Sequence, residues 1–241
     1  GYPPAMQRKI AWYRGLYAEL IDIAAGHGLR VFLTTDAMFY HNELQEELQG
    51  RLDREIAFLR RAIDDGLASF PDLAGIVLRI GETDALDVVG DFHSRLAVRS
   101  VEDARALLKG LLPVFEQRDR LLIFRTWSVG AYRIGDLLWN RDTFDAVFHD
   151  MDSPALVASL KYGESDFFRY LPLNKLFFRG ARQMIVELQS RREYEGCGEY
   201  PSYIGWDLER YRQDLEAVEG LVGISVWCQT GGWTPFRRLT F

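Results

Sequence analysis

Short apolar runs alternate along the chain with longer segments in which apolar residues recur at helical spacing. Six runs carry the apolar, β-branched and aromatic residues typical of strands: residues 31–36, 75–82, 121–127, 156–163, 183–191 and 221–228. Each is nearly continuous in apolar character rather than alternating, as in the Leu-Leu-Ile-Phe of residues 121–124. Continuous runs are typical of parallel strands that are covered on both faces. The pattern therefore predicts a parallel α/β sheet and argues against a half-exposed antiparallel one.

The segments between these runs predict amphipathic helices. The predicted helices cover residues 6–25, 47–67 and 206–218, and a further one begins after Ser100. Residues 26–28, Gly-His-Gly, are typical of the end of a helix. Ser100 is a residue type that caps helix starts, and Glu102 and Asp103 place acids in the first turn. The chain therefore opens on a helix, before any strand.

The number of predicted strands bears on the architecture. A closed (β/α)8 barrel holds eight strands in about 250 residues, whereas the pattern contains six. Because the opening helix implies a strand upstream, the six runs fit barrel strands three to eight. We therefore predict an α/β fold, a TIM barrel that lacks its first two βα units, with residues 1–241 as a single catalytic domain of a longer protein. An open, doubly wound sheet of six strands is the alternative.

Composition narrows the classes of partner. The 241 residues, 48% of them hydrophobic, are enough to bury one sizeable core. The net charge of −6 disfavours contact with phosphate backbones and anionic lipid, so neither nucleic acid nor a membrane is an expected partner. No apolar run approaches the roughly 20 residues of a membrane span. Two cysteines, Cys197 and Cys228, make no disulfide framework and favour a reducing compartment, so we expect a cytoplasmic protein.

Polar and aromatic side chains cluster where the predicted strands end. In parallel α/β folds the carboxyl ends of the strands face the ligand. The charged and aromatic residues at or just after these ends include Asp36, Glu82, Arg125, Trp127, Lys161, Asp166, Glu193 and Trp227. Hydrolysis of a glycosidic bond needs a carboxylic acid to protonate the leaving oxygen, a carboxylate to activate water, and aromatic rings to stack on sugar faces. The strand ends therefore suit a glycoside hydrolase.

Local sequence around these acids resembles the α-glucuronidase family of glycoside hydrolases. Residues 161–168 (KYGESDFF) and 183–196 (QMIVELQSRREYEG) resemble the part of that barrel which contains its two general-base candidates. Residues 78–82 (LRIGE) are similar to the strand that bears the general acid, and residues 27–35 (HGLRVFLTT) to the strand before it. The resemblance spans roughly residues 20–200, and its most specific piece is the pattern Gln-x-x-x-Glu-Tyr-x-Gly that begins at Gln189.

This resemblance implies an inverting mechanism. Glu82 would protonate the glycosidic oxygen, while Asp166 and Glu193 together would hold and deprotonate a water on the opposite face of the sugar. Inversion requires roughly 6.5–9.5 Å between the acid and base carboxyls. The resemblance further implies a substrate of uronic-acid-bearing fragments of a plant polysaccharide such as xylan. The chain departs from the family after Gly196, so the exact sugar and linkage stay open.

Further residues are candidates for substrate binding. A substrate carboxylate calls for fixed cations, which Arg79, Arg125, Lys161 and Arg191 could supply, and Trp127 and Trp227 could stack on sugar rings. Each of these residues has a plainer interpretation. The cations could pair only with the catalytic acids, and the tryptophans could pack in the core.

The sequence predicts neither a metal nor a cofactor. Residues 149–152 (HDMD) superficially resemble a metal-ligand cluster, but they lie in a turn-like stretch before a strand. None of the four histidines closes a predicted strand, which counts against a metal-dependent barrel enzyme. The alternative function is a non-catalytic carbohydrate-binding or structural barrel fragment. An oligosaccharide is the expected partner, and a homodimer or a missing N-terminal segment is also left open.

Overall fold

The computed structural model of the chain describes residues 2–81, 90–128, 132–168, 171–180, 182–189 and 205–227. The α-helices are α1 (Pro4–Gly26), α2 (Asn42–Leu48), α3 (Leu52–Ser69), α4 (Val101–Arg118), α5 (Arg141–Phe148) and α6 (Gly205–Leu215). The strands are β1 (Val31–Asp36), β2 (Phe39–His41), β3 (Leu73–Arg79), β4 (Phe92–Ser94), β5 (Leu121–Arg125), β6 (Leu156–Lys161), β7 (Met184–Gln189) and β8 (Leu221–Trp227). Two 3-10 helices cover Arg133–Leu138 and Lys175–Phe178. The protein is therefore α/β, as the apolar pattern predicts.

The six longer strands form one sheet in the order β1-β3-β5-β6-β7-β8. Strand β1 runs parallel to β3, β6 to β7, and β7 to β8. All six predicted runs correspond to these strands, although β3, β5 and β6 end two or three residues before the run does. The strand order follows the chain order and lacks the reversal that defines a doubly wound sheet, which counts against that alternative. Closure into an eight-stranded barrel stays a prediction.

The structure adds a short antiparallel pair that the apolar pattern does not predict. Strands β2 and β4 pair over three residues each, with Tyr40 opposite His93 in the register. The rings of Phe39 and Phe92 stack on this pair with their centroids 5.9 Å apart. Runs of three residues are too short for hydrophobic periodicity to identify, so this second sheet could not be read from the sequence.

The prediction of a single helix over residues 47–67 was wrong at its N-terminal end, because residues 47 and 48 belong to a separate helix. Helix α2 ends at Leu48 and α3 starts at Leu52, and the residues between them interrupt the helix. Gln49 and Gly50 have φ angles of 54° and 63°, which belong to the left-handed region. A residue in that conformation ends an α-helix because its backbone groups leave the helical path.

Two helix ends agree with the sequence signals. The Ser100 hydroxyl accepts a hydrogen bond of 3.1 Å from the backbone N–H of Asp103, and the Asp103 carboxylate accepts one of 3.1 Å from the backbone N–H of Ser100. This reciprocal capping box confirms the predicted start of α4. Helix α1 ends at Gly26, and Gly28 follows with a φ of 72°, which confirms the predicted stop.

The longest helix, α1, buries little of its apolar surface. Of its 23 residues only Ile21 is buried, whereas Trp12, Leu20 and Ile23 are 62%, 52% and 53% exposed. Despite this apolar surface, no helix in the described part of the chain combines the length and the hydropathy that crossing a bilayer requires.

The chain divides into two compact units, each with its own buried residues. The first unit comprises Gly1–Phe124 and Ser153–Leu156, and the second comprises Arg125–Asp152 and Val157–Phe241. In the first unit, Leu73, Leu78, Leu108, Leu111 and Phe115 are completely buried. In the second unit, Phe144, Val147, Phe148, Leu176 and Phe177 are at most 1% exposed. These side chains remove apolar surface from water, which is the main favourable contribution to folding.

Candidate active site

Polar side chains from three neighbouring strands meet inside the second unit. Arg125 ends β5, Ser159 and Lys161 lie on β6, and Glu187 lies on β7 directly opposite Lys161 in the parallel register. Alternate residues of a strand point to the same face, so Ser159 and Lys161 share one face of β6. All four side chains belong to residues that are at most 4% exposed. Buried polar groups are costly unless they are paired, so the pairing of these four determines what the site can do.

Arg125 and Glu187 form a fully buried ion pair. The Arg125 Nε donates to both carboxylate oxygens of Glu187, at 2.8 and 2.9 Å. The Ser159 hydroxyl donates a third hydrogen bond, of 2.6 Å, to Glu187 Oε1. The Arg125 guanidinium also lies over the ring of Trp227, 4.6 Å from its centroid. The charge-assisted hydrogen bonds to Glu187 and the ring of Trp227 together constrain the position of the guanidinium.

Lys161 and Asp166 form the second ion pair. The Lys161 ammonium donates to Asp166 Oδ1, and it lies 3.3 Å from the ring centroid of Trp127 and 4.2 Å from that of Phe167. Burial lowers the pKa of the Lys161 ammonium, whereas the hydrogen bond to Asp166 acts to raise that pKa. An ammonium enclosed by two aromatic faces and one carboxylate is held in a single place.

A small pocket opens beside the Lys161–Asp166 pair. Its walls include Lys161, Tyr162, Asp166, Phe167, Glu187 and Tyr211. Its cavity volume is about 20 Å³, which is room for about one water molecule. The Asp166 side chain is 18% exposed, so its carboxylate is accessible while it remains bonded to Lys161. A carboxylate that is anchored by an ammonium and lines a water-sized space can accept a proton from a water in that space.

Tyr162 connects the end of β6 to helix α6. Its hydroxyl donates a hydrogen bond to Asp214 Oδ2, and its ring centroid lies 4.1 Å from that of Tyr211. Burial and the hydrogen bond to Asp214 raise the pKa of the Tyr162 hydroxyl well above its usual range. Tyr162 is therefore a neutral hydrogen-bond donor at physiological pH, and it ties the pocket wall to α6.

Five of the predicted site residues lie together in the second unit. Asp166 and Trp127 contact Lys161, and Arg125 contacts Trp227. Arg79 lies in the first unit, where its Nε is 3.1 Å from Asp36 Oδ1. Glu82 and Glu193, the predicted acid and second base residue, lie outside the described residues. Their roles and their distances to Asp166 therefore stay predictions. The binding roles predicted for Arg79, Arg125, Trp127, Lys161 and Trp227 also stay predictions, as does that of Arg191, which lies outside the described residues too.

Sequence reasoning did not single out Glu187 or Ser159. Glu187 interrupts the apolar run of β7, and a carboxylate within a buried strand is costly unless a partner compensates its charge. That signal could have identified Glu187. Ser159 carried no such signal, because a serine within a strand is compatible with many environments.

The structure also describes the segment that superficially resembled a metal cluster. Nε2 of His149 lies 3.1 Å from Oδ2 of Asp150, and both side chains are 72% exposed. Asp150 has a φ of 56°, in agreement with the turn-like character read from the sequence. Within the described ranges, no group of three or more His, Cys, Asp or Glu side chains is arranged to hold a metal ion.

Comparisons with known proteins provide little beyond this geometry. No protein-family model matches the sequence, and no curated protein matches it significantly. Among solved structures, the chain is similar to one described as "a putative alpha-L-fucosidase from Bacteroides thetaiotaomicron VPI-5482", with 11% sequence identity and a TM-score of 0.47. The match covers 86% of this chain and 62% of that one. A TM-score this low, at this identity, assigns neither a fold nor an activity.

Proposed function

We propose that the chain is the catalytic part of a glycoside hydrolase of the α-glucuronidase type. The observation that carries the proposal is the placement of Asp166 in the second unit. Its carboxylate is anchored by the buried ammonium of Lys161 and lines a pocket with room for about one water molecule. General-base catalysis on water requires a fixed carboxylate within hydrogen-bond reach of that water. The sequence around Asp166 and Glu193 also resembles that of the family.

In the proposed mechanism, water attacks the anomeric carbon as the glycosidic bond breaks. Asp166 and Glu193 share and deprotonate this water, while Glu82 donates a proton to the leaving oxygen. Lys161 holds Asp166 in place through the hydrogen bond to Oδ1. Attack from the face opposite to the leaving group inverts the anomeric configuration.

The proposed substrate is an oligosaccharide that carries a uronic acid. Lys161 and Arg125 are cations at the carboxyl ends of β6 and β5, and the rings of Trp127 and Trp227 lie next to them. Both cations already have a carboxylate partner, Asp166 and Glu187 respectively. A substrate carboxylate would therefore join these ion pairs rather than meet isolated charges. A binding role for Arg79 stays a prediction.

We further propose that the six-stranded sheet corresponds to strands three to eight of a (β/α)8 barrel. The first two βα units would then lie outside residues 1–241, and these residues would form a single catalytic domain. The agreement between strand order and chain order supports this proposal, since barrel strands follow each other in sequence.

Location and further partners stay predictions from composition. The two cysteines favour a cytoplasmic protein, and the net charge of −6 disfavours nucleic acid and anionic membranes. A homodimer stays an open prediction.

The test is release of glucuronic acid from short xylo-oligosaccharides that carry an α-linked glucuronosyl group. We expect the chain to release the free acid, and Asp166→Asn to lower kcat by about 100-fold or more. Asp150→Asn is the matched control, because Asp150 is an exposed aspartate whose contact is with His149. Equal activity of Asp166→Asn and the control would contradict the role of Asp166. Binding of the oligosaccharide without turnover would favour the carbohydrate-binding alternative.

A second measurement tests the stereochemistry. Proton NMR of the first product should show the β-anomer of glucuronic acid before mutarotation, because inversion converts an α-linkage into a β-product. Initial formation of the α-anomer would contradict the proposed arrangement of acid and base residues, even if the chain is an active hydrolase.

A further inference from the structure

We infer that Glu187 is a positioning residue of this site: it fixes the guanidinium of Arg125 and offsets the repulsion between Arg125 and Lys161. The catalytic consequence of this inference rests on the proposed function, but its geometric basis does not. Glu187 is one of the residues that line the pocket, but the proposed mechanism gives it no proton transfer and no bond to the substrate, so it would act through the two cations.

The geometry gives Glu187 contacts to two strands on one side of β7: β6 next to it, and β5 beyond β6. Both of its oxygens accept from Arg125 Nε of β5, at 2.8 and 2.9 Å, and Oε1 also accepts from Ser159 of β6 at 2.6 Å. Glu187 is 1% exposed, so bulk solvent has almost no access to these hydrogen bonds. Removal of the carboxylate would leave Arg125 held only by the remaining contacts, such as that with the ring of Trp227.

The charges around Lys161 give the carboxylate a second effect. Among the described residues, the charged groups that act on Lys161 are Asp166 from the loop after β6, Arg125 from β5 and Glu187 from β7. The rings of Trp127 and Phe167 lie against the ammonium, and Tyr162 and Tyr211 line the same pocket. The positive charge of Arg125 acts to lower the pKa of the Lys161 ammonium, and the negative charge of Glu187 acts to raise it. Without the charge of Glu187, Asp166 is the remaining acid, among the described residues, that opposes the repulsion from Arg125.

The experiment measures the titration of Lys161 directly. The chain contains only four lysines, Lys9, Lys109, Lys161 and Lys175, so lysine labelled with carbon-13 at Cε gives four NMR signals to follow. The signal that is missing from Lys161→Met identifies Lys161. The titration is recorded for the wild type, for Glu187→Gln and for Ser159→Ala. Glu187→Gln removes the charge at almost constant shape, whereas Ser159→Ala removes a hydrogen bond to Glu187 and keeps the charge.

We expect Lys161 to titrate at lower pH in Glu187→Gln than in the wild type, and the other three lysines not to move. Ser159→Ala should leave the Lys161 titration at its wild-type position. An unchanged Lys161 titration in Glu187→Gln, or an equal shift in Ser159→Ala, would overturn the electrostatic part of the inference.

A measurement on the wild type alone covers the case in which Glu187→Gln does not fold. With nitrogen-15 arginine, the Nε–H of Arg125 should exchange with solvent far more slowly than that of the exposed Arg212, because the Arg125 proton is bonded to a buried carboxylate. Exchange of the Arg125 proton at the rate of an exposed arginine would overturn the inference.

The activity assay separates this inference from the proposed function. If the chain hydrolyses uronosides, the alkaline side of its kcat/KM profile should contain a limb that follows deprotonation of Lys161, in addition to the one set by the acid Glu82. This Lys161 limb should move to lower pH in Glu187→Gln and stay in place in Ser159→Ala. A purely structural loss would lower activity at every pH without moving the limb. If the wild type shows no hydrolysis, the proposed function fails, while the NMR titration still decides the role of Glu187.

Discussion

Two buried glutamates, one in each compact unit, show how differently a fold can treat the same side chain. Glu187 in the second unit is 1% exposed and accepts three hydrogen bonds from Arg125 and Ser159. Glu55 in the first unit is 0% exposed, yet neither of its carboxylate oxygens has a hydrogen-bond partner among the described residues. Its nearest cation is Arg95, with Nη1 at 3.4 Å and a side chain that is 27% exposed.

The difference shows that burial alone does not define a functional carboxylate. Burial raises the pKa of the Glu55 carboxyl, and the charges of Arg95 and Arg99 only partly oppose that effect. A carboxylate without donors is better accommodated as the neutral acid. Glu187, by contrast, has donors for both oxygens and a buried cation in direct contact. The second unit therefore stabilises the buried carboxylate of Glu187, whereas the surroundings of Glu55 in the first unit favour the neutral acid.

The largest effect on stability is expected when the ion pair between Arg125 and Glu187 is broken. Glu187→Ala should lower the free energy of unfolding by about 3–5 kcal/mol, because it leaves the buried guanidinium of Arg125 without its carboxylate. Denaturation with urea at pH 7 measures this change. The double variant Glu187→Met with Arg125→Met replaces the whole pair by apolar side chains and should recover most of the loss. An equal loss in the double variant would mean that packing, rather than the unpaired charge, determines the effect.

The sequence predicts the architecture better than it predicts this network. Continuous apolar runs identify all six strands of the main sheet, and the cap at Ser100 is correct because it depends on residues that are adjacent in the chain. Arg125 and Glu187 are 62 positions apart, and their pairing depends on the order of β5, β6 and β7. Nothing local to either residue specifies that order, so the pair could not be predicted from the pattern.

Sequence could predict only the part of the candidate site that lies at the end of a single strand. Lys161 and Asp166 are five positions apart at the end of one strand, so their proximity follows from local sequence. Gln49 shows the opposite case. Its left-handed conformation breaks a segment whose apolar spacing predicts a continuous helix, and glutamine carries no signal for that conformation.

The second prediction removes one donor and keeps the charge. Ser159→Ala should lower the free energy of unfolding by about 1.5–3 kcal/mol, the typical contribution of a hydrogen bond to a charged group. Thermal and urea denaturation measure it. If the loss equalled that of Glu187→Ala, the hydroxyl would be essential to the ion pair, and Arg125 alone would not satisfy the carboxylate.

The third prediction concerns the glutamate without donors and depends on pH. Because the folded-state pKa of Glu55 is raised, its contribution to stability is fully present below the unfolded-state pKa, about 4.3, and is lost as pH rises through the folded-state pKa. Glu55→Gln carries no charge at any pH, so it escapes this loss. We expect the variant to be at least as stable as the wild type at pH 7, and its relative stability to fall as the pH is lowered. Urea denaturation between pH 4 and 8 measures this.

Glu19→Gln, on the exposed surface of α1, is the control for the change of side chain. It should show no comparable change in relative stability across the same range of pH. A strong destabilisation of Glu55→Gln at pH 7 would mean that the ion pair with Arg95 outweighs the cost of burial, and the two glutamates would then resemble each other.

The smallest expected effect separates hydrogen bonding from burial. Glu209 on α6 accepts as many hydrogen bonds as Glu187: two from Arg212, at 3.0 and 2.8 Å, and one from Gln213 at 3.0 Å. Its side chain, however, is 54% exposed. The hydrogen bonds from Arg212 and Gln213 lower the pKa of the Glu209 carboxyl to about 2, so it stays charged at neutral pH.

We still expect Glu209→Gln to leave the stability at pH 7 and physiological salt unchanged within error, because water hydrates both partners once the pair is broken. Urea denaturation beside Ser159→Ala makes the comparison direct. If Glu209→Gln cost as much as Ser159→Ala, the number of donors rather than their burial would account for the stability that Glu187 provides.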